Sequence, residues 1–176
     1  MNNKKQSDPR DGIRIKGMFH LQIEEGGKIV GDSGRVYNKI TNAGYLNIVN
    51  LIGSSLTGGS VFAAAALGTG GVPSGGDTTQ SGEVLATTSA GHSSVKRAAL
   101  NGATFVTNTS TALRNTATFS SSNSFISATN TIANIGLWDV TGAENTSGRF
   151  FAGNTYASSA LATNQNVNIT YDIIFG

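Results

Sequence analysis

Between Ile13 and Ile23 the chain reads IRIKGMFHLQI, with Ile13, Ile15, Phe19, Leu21 and Ile23 apolar at alternate positions and mostly polar residues between them. A period of two marks a strand with one buried face. Gly26-Gly27 turns the chain into KIV, and after Asp32-Ser33-Gly34, which reads as a β-turn, RVYNKI supplies a further strand. The pattern then changes. Tyr45, Ile48, Val49 and Ile52 stand at i, i+3, i+4 and i+7, so a helix over about 43–52 gathers them on one face, with Asn42 as N-cap and Gly53 as C′ residue. The alanine-rich run VFAAAAL at 61–67 would accept a helix, but its short length favours a buried strand.

Beyond residue 83 the pattern is β throughout. Val95–Leu100 and Ala103–Thr107 flank Asn101-Gly102, the residue pair that most favours a tight hairpin because both of its positions need positive φ. LRNTATF, SFIS, TIANIGLWDV, GRFFAG and VNITYDIIF follow. The last alternates cleanly, with Val167, Ile169, Tyr171, Ile173 and Phe175 on one face and Asn168, Thr170 and Asp172 on the other. Many short strands between turn signals predict a mainly β domain over 13–176, an antiparallel β-sandwich or jelly-roll-like fold with one short helix. Residues 1–12 contain Pro9 and Gly12 and show no period, so they read as an extended N-terminal arm.

Composition supports this reading. Gly (23), Thr (20), Ser (19) and Asn (17) are residues that favour turns and strands over helices. Only 12% of residues are charged, against about 25% in a typical soluble domain. Of the 22 charged residues, 13 lie in residues 1–40. A surface this poor in charge suits a protein whose faces meet other subunits, while a neutral surface solvated by hydroxyls and amides is the plain alternative. With no Cys, disulfides and thiolate metal sites are excluded. The start lacks the apolar core of a signal peptide, and the apolar run 61–67 is far short of the roughly 20 residues of a membrane helix. No membrane partner is expected, and synthesis in a cytoplasm is.

The stretch LGTGGVPSGGDTTQSGE, Leu67 to Glu83, resembles a phosphate cradle only in its glycines. The spacing Gly70 to Gly75 fits a Walker loop, but the Lys is missing, and Pro73 stands where a dinucleotide fingerprint needs Gly. Asp77 and Glu83 lack a calcium-loop pattern and read as turn or interface hydrogen-bond acceptors. GDSG at 31–34 is shared with serine-protease nucleophile loops, but a turn explains it better. His20 and His92 have no metal-ligand spacing, so neither metal nor cofactor is expected. Trp138, next to Asp139, reads as core, with a glycan-stacking role, assisted by Tyr156, as the alternative. Lys4, Lys5, Arg10, Arg14 and Lys16 form a basic stretch without interleaved aromatics, with Asp8 and Asp11 among them. Specific nucleic-acid binding is therefore not expected, and an arm that orders on a neighbouring protein is.

LGTGGVPSGGDTTQSGEV, NIGLWDVTGA, RFFAGNTYASSALATNQNVNITYDI and VGDSGRVYNKITNAGYLNIVNLIG together resemble small structural proteins of tailed bacteriophages, over most of residues 13–176. The resemblance implies a non-enzymatic virion protein without cofactor, made in the host cytoplasm and partnered by capsid or tail subunits. A capsid decoration or cement protein is the first expectation, self-associated as a homo-oligomer such as a trimer. A tail, neck or fibre component, or a receptor- or glycan-binding module, is the alternative.

Overall fold

The computed structural model describes residues 14–53, 63–83, 97–100, 106–109, 112–123, 130–140 and 148–176. In chain order the elements are β1 (Ile15–Glu25), β2 (Lys28–Ile40), α1 (Asn42–Ile52), β3 (Ala64–Gly68), β4 (Ala98–Ala99), β5 (Val106–Thr109), β6 (Ala112–Phe119), β7 (Asn130–Trp138), β8 (Phe150–Leu161) and β9 (Asn166–Phe175). They form one sheet in the order β4-β3-β7-β8-β2-β1-β9-β6-β5, antiparallel at every pairing. The sheet curls until β4 comes up against β6, which nearly closes it into a barrel-like shape. The expected mainly β, antiparallel fold with one short helix is what the chain forms.

Strand β2 makes the bend. Its long first part pairs with β1, and only Lys39 and Ile40 pair with Gly153 and Ala152 of β8. On one side of this corner lie β1, β9, β6 and β5, and on the other β8, β7, β3 and β4. The enclosed core takes Phe19, Leu21 and Ile23 from β1, Val167, Ile169, Tyr171 and Ile173 from β9, and Leu67, Ile135 and Phe151 from the other side. The alternation read in β1 and β9 therefore has its expected cause, one face in the core and one outside it. β3 behaves as the buried strand expected, with Ala64, Ala65 and Ala66 completely buried.

Two local expectations about strand connections are corrected. Asp32-Ser33-Gly34 is not a turn between strands but a bulge inside β2, where His20 pairs with Arg35 and Gln22 with Asp32, leaving two residues of β2 opposite Leu21. Gly34 takes φ +64° there, and its N–H bonds the Asp32 carboxylate at 2.7 Å. The turn expected at Gly26-Gly27 is present, and its φ values of +55° and +79° suit a two-residue hairpin connection. Among the described residues the flanks of Asn101-Gly102 do not pair with each other: β4 joins β3, β5 joins β6, and these lie at opposite ends of the sheet order. Asn101-Gly102 itself, SFIS and the arm at 1–12 lie outside the described residues.

The helix has the expected limits, but the residues read as one apolar face do not all turn the same way. Thr41, rather than Asn42, is the cap: its hydroxyl accepts the Gly44 N–H at 3.0 Å and donates to the carbonyls of Phe150 and Phe151. Gly53 closes an ordinary helical bond to the Val49 carbonyl at 2.9 Å and does not enter the left-handed region. The inward face is formed by Gly44, Asn47 and Ile48, whereas Tyr45, Leu46 and Val49 are 46%, 51% and 60% exposed. Polar anchoring accounts for this. Asn47 is buried and accepts from the Arg149 guanidinium, and the Arg149 N–H bonds Asp139 at 2.6 Å. The stripe is thus split, with Ile48 packed into the core and Tyr45 and Val49, joined by Leu46, facing outward.

Candidate functional site

The connection from Leu67 to Glu83 carries Asp77, Gln80 and Glu83 between its glycines. Much of it is exposed, Val72 at 61% included, but Pro73 and its C-terminal end fold back onto the sheet. Gln80 and Glu83 are buried against the outer face of β3 and β7. The Gln80 amide nitrogen donates to Asn134 Oδ1 at 2.8 Å, and its oxygen accepts from the Trp138 indole at 3.3 Å. Asn134 returns a bond to the Ser81 carbonyl at 2.9 Å. Arg97, fully buried, donates from Nε to Glu83 at 2.8 Å and lies 3.6 Å from the centroid of the Trp138 ring. These polar groups are thus consumed by neighbours in the fold. Glu83, expected as a turn or interface acceptor, is corrected to half of a buried ion pair. Asp77 keeps the turn role: the Ser74 N–H and hydroxyl bond it at 2.8 and 2.7 Å and lower its pKa.

Trp138 is completely buried, between Arg97 and Phe150, whose ring centroid lies 5.1 Å away. A glycan-stacking role for Trp138 is corrected, since the ring has no free face. Tyr156 is half-buried and meets Phe19 edge-on at 6.2 Å, packed against the main core, whereas Trp138 belongs to the separate cluster outside the sheet. The two are not brought together.

His20 and Asp32 do meet, at 2.7 Å on the outer face of the β1–β2 hairpin. Gln22 joins them, donating to the other carboxylate oxygen at 3.0 Å, and these bonds with that of Gly34 lower the Asp32 pKa to about 2. Ser33 is adjacent in sequence but bonded elsewhere, since its hydroxyl donates to the Gly34 carbonyl and accepts the Leu21 N–H at 2.9 Å. The hydroxyl therefore ties the bulge together, and the constellation stabilises backbone rather than presenting a nucleophile. Among the described residues there is no group of three or more His, Cys, Asp or Glu placed to hold a metal. No described helix is long and apolar enough to cross a membrane.

An open concavity lies at the root of the hairpin. A groove of about 600 Å³ runs between the start of β1, the end of β2 and the start of α1, lined by Lys16, Tyr37, Asn38, Lys39, Asn42 and Tyr45 among others. Tyr37 is 61% exposed. Asn38 donates to the Tyr171 phenol, and its Oδ1 is buried without a hydrogen-bond partner among the described residues. Two ammonium groups, two phenol rings and amides with no carboxylate in the lining suit an anionic or acidic surface. Of the basic residues read as an arm, Lys4, Lys5 and Arg10 lie outside the described residues, while Arg14 and Lys16 belong to the sheet. Arg14 exchanges backbone bonds with Gly176 at 2.7 and 2.9 Å, and Lys16 is on β1. Lys16 lines the groove, and Arg14, just before β1, is fixed to the end of the chain rather than carried on a free segment. Sequence patterning places Tyr37 and Lys39 on one face of β2 but gives no reason to add Lys16 or Tyr45, because the groove joins three elements that no single spacing connects.

No family model, curated protein or solved structure matches this chain.

Proposed function

We propose that this chain is a non-enzymatic structural component of a tailed-phage virion, most specifically a decoration protein that covers the outside of the capsid. The observation that carries the assembly reading is the outward apolar stripe Tyr45, Leu46 and Val49, continued by Tyr37 at the groove. Apolar side chains grouped this way mark a surface that gains by being covered. Chemistry-bearing side chains, by contrast, are engaged in internal bonds at Glu83–Arg97 and His20–Asp32. The phage-like blocks supply the virion assignment. Immunogold labelling of purified particles tests it: label over the head is expected, label confined to the tail favours a neck, tail or fibre role, and particles without label overturn the virion reading.

The groove favours one second reading, a receptor-binding module. Exposed Tyr37 and Tyr45 beside Lys16, Lys39 and Asn38 could stack on and hydrogen-bond an anionic glycan. Glycan-array binding that Tyr37→Ala abolishes supports it, and an array without signal removes it.

A further inference from the structure

The β1–β2 hairpin is electrically lopsided. Its root, residues 14–19 and 35–40, carries Arg14, Lys16, Arg35 and Lys39 and no carboxylate. Its tip half, residues 20–34, carries Glu24, Glu25 and Asp32 against Lys28. The apolar exposure divides in the same way. Ile29 and Val30, 51% and 55% exposed, stand near the turn, and Tyr37 and Tyr45 stand at the root groove with Leu46 and Val49 beside them on α1.

Root and tip are complementary in charge, and each is apolar at its centre, yet they cannot meet within one copy. At about 3.3 Å per residue, the 11-residue β1 holds its two ends some 30 Å apart. Two bulges further re-aim the tip, at Ser33-Gly34 and at Val30, the residue left over between the Ile23–Gly31 and Glu24–Ile29 pairs. The second bulge leaves Ile29 and Val30 together on the outside instead of sending one of them into the core.

We infer that the groove takes the hairpin tip of a second copy of this chain. Ile29 and Val30 of one copy lie against Tyr37 and Tyr45 of the next, while Glu24 and Glu25 face Lys16 and Lys39. Glu24 and Glu25 already accept amide hydrogens, from Asn168 and from Asn164 and Gln165. Those neutral bonds fix the carboxylates at the tip and leave their charge for a partner. The contact joins two different patches, so an antiparallel pair makes it twice and three or more copies make it around a ring. The inference deepens the assembly reading and rests on it, but a chain that decorates particles as a monomer would overturn this contact alone.

Because the chain has no Cys, single introduced thiols give a clean test in the full-length protein. Ile29→Cys and Tyr45→Cys are both at exposed positions. A short bismaleimide is expected to cross-link a mixture of the two variants at least tenfold more than either variant alone. A product from Tyr45→Cys alone, or none from the mixture, overturns the proposal. A chain lacking residues 1–12 must cross-link equally well; cross-linking only after that deletion assigns the groove to the arm instead and also overturns it. Lys16→Glu with Lys39→Glu should weaken self-association at least tenfold by light scattering, and mixing with Glu24→Lys, Glu25→Lys should restore it. Failure of the mixed charge reversal to associate, with both variants folded by circular dichroism, counts against the contact.

Discussion

The two sides of the β2 corner are built on different rules. Around β1, β9 and β6 the sheet has one face in the core and one outside, and that outer face carries polar pairs such as Thr118 with Asn168 and Arg114 with Asp172. Around β3 and β7 both faces are covered, the inner by the core and the outer by the segment from Thr69 to Glu83 together with Arg97. A sheet covered twice needs room. The chain provides it with Ala64–Ala66 and Gly136, and fills the remaining space with Gln80, Trp138 and a charged pair. Hydrogen bonds on that side are high-stakes because water cannot replace them.

The sharpest way to break this contrast is to remove one buried charge. Arg97→Ala leaves the Glu83 carboxylate buried and strips the cation from the Trp138 face. The expected loss is about 3–5 kcal/mol in urea unfolding. Replacing both partners, Arg97→Met with Glu83→Leu, should recover most of it, because the cost lies in the unpaired charge. Gly136→Ala is the next step down. An added Cβ would lie 2.2 Å from Gln80 Oε1 and 2.8 Å from the Phe150 ring, so Gln80 must give up its place beside Trp138. About 1–3 kcal/mol is expected. In a double-mutant cycle with Gln80→Ala the combined cost should fall short of the sum of the two, since both act on one contact.

This difference also decides what is legible in the chain. β1 and β9 announce themselves because one open face lets polar and apolar residues alternate, and the limits of α1 follow from its apolar spacing. The orientation of α1 does not. Of the described side chains in its apolar stripe only Ile48 reaches the core, because Thr41, Asn47 and Arg149 anchor a polar side inward, and these bonds join residues about 100 positions apart. Likewise the bulge at Ser33-Gly34 reads as a turn because its local chemistry is that of a turn, and only pairing with β1 shows the strand continuing. The groove is illegible for a related reason: hairpin pairing sets Lys16 beside Lys39, and Tyr45 joins them only where the chain turns from β2 into α1. The role of Glu83 requires its partner Arg97, which the intervening chain separates from it in sequence.

A smaller effect probes the core between the two sides. Tyr171 is buried under the root of the hairpin, and desolvation raises its phenol pKa well above the ordinary value, opposed in part by the Asn38 bond. Tyr156 shifts the same way by burial. A raised pKa means the fold holds the neutral phenol: stability is intact below the unfolded value of about 10 and is lost as pH rises beyond it. Thermal melts should therefore fall in midpoint above about pH 10, with phenolate absorbance from these two residues appearing together with unfolding. Tyr171→Phe should cost about 1 kcal/mol at neutral pH through the lost hydrogen bond, and should flatten the alkaline fall.

The smallest expected effect lies on the open face, and it sets the lower end of the comparison. Asp32 is hydrogen-bonded by Gln22, Gly34 and His20, which lower its pKa to about 2, but water reaches all of these groups. A lowered carboxyl pKa stabilises the fold above the unfolded value of about 4, and that contribution disappears as pH falls toward 2. Asp32→Asn retains an acceptor for the Gly34 N–H, so the bulge should survive. At neutral pH the melting temperature is expected to move by no more than about 2 °C, as for other exposed substitutions. Between about pH 4 and about 2 the variant should lose less stability than the parent chain, because one of the groups that must be protonated is gone. A neutral-pH loss as large as that of Arg97→Ala would show that the outer face of the hairpin is not simply solvated but carries part of the fold.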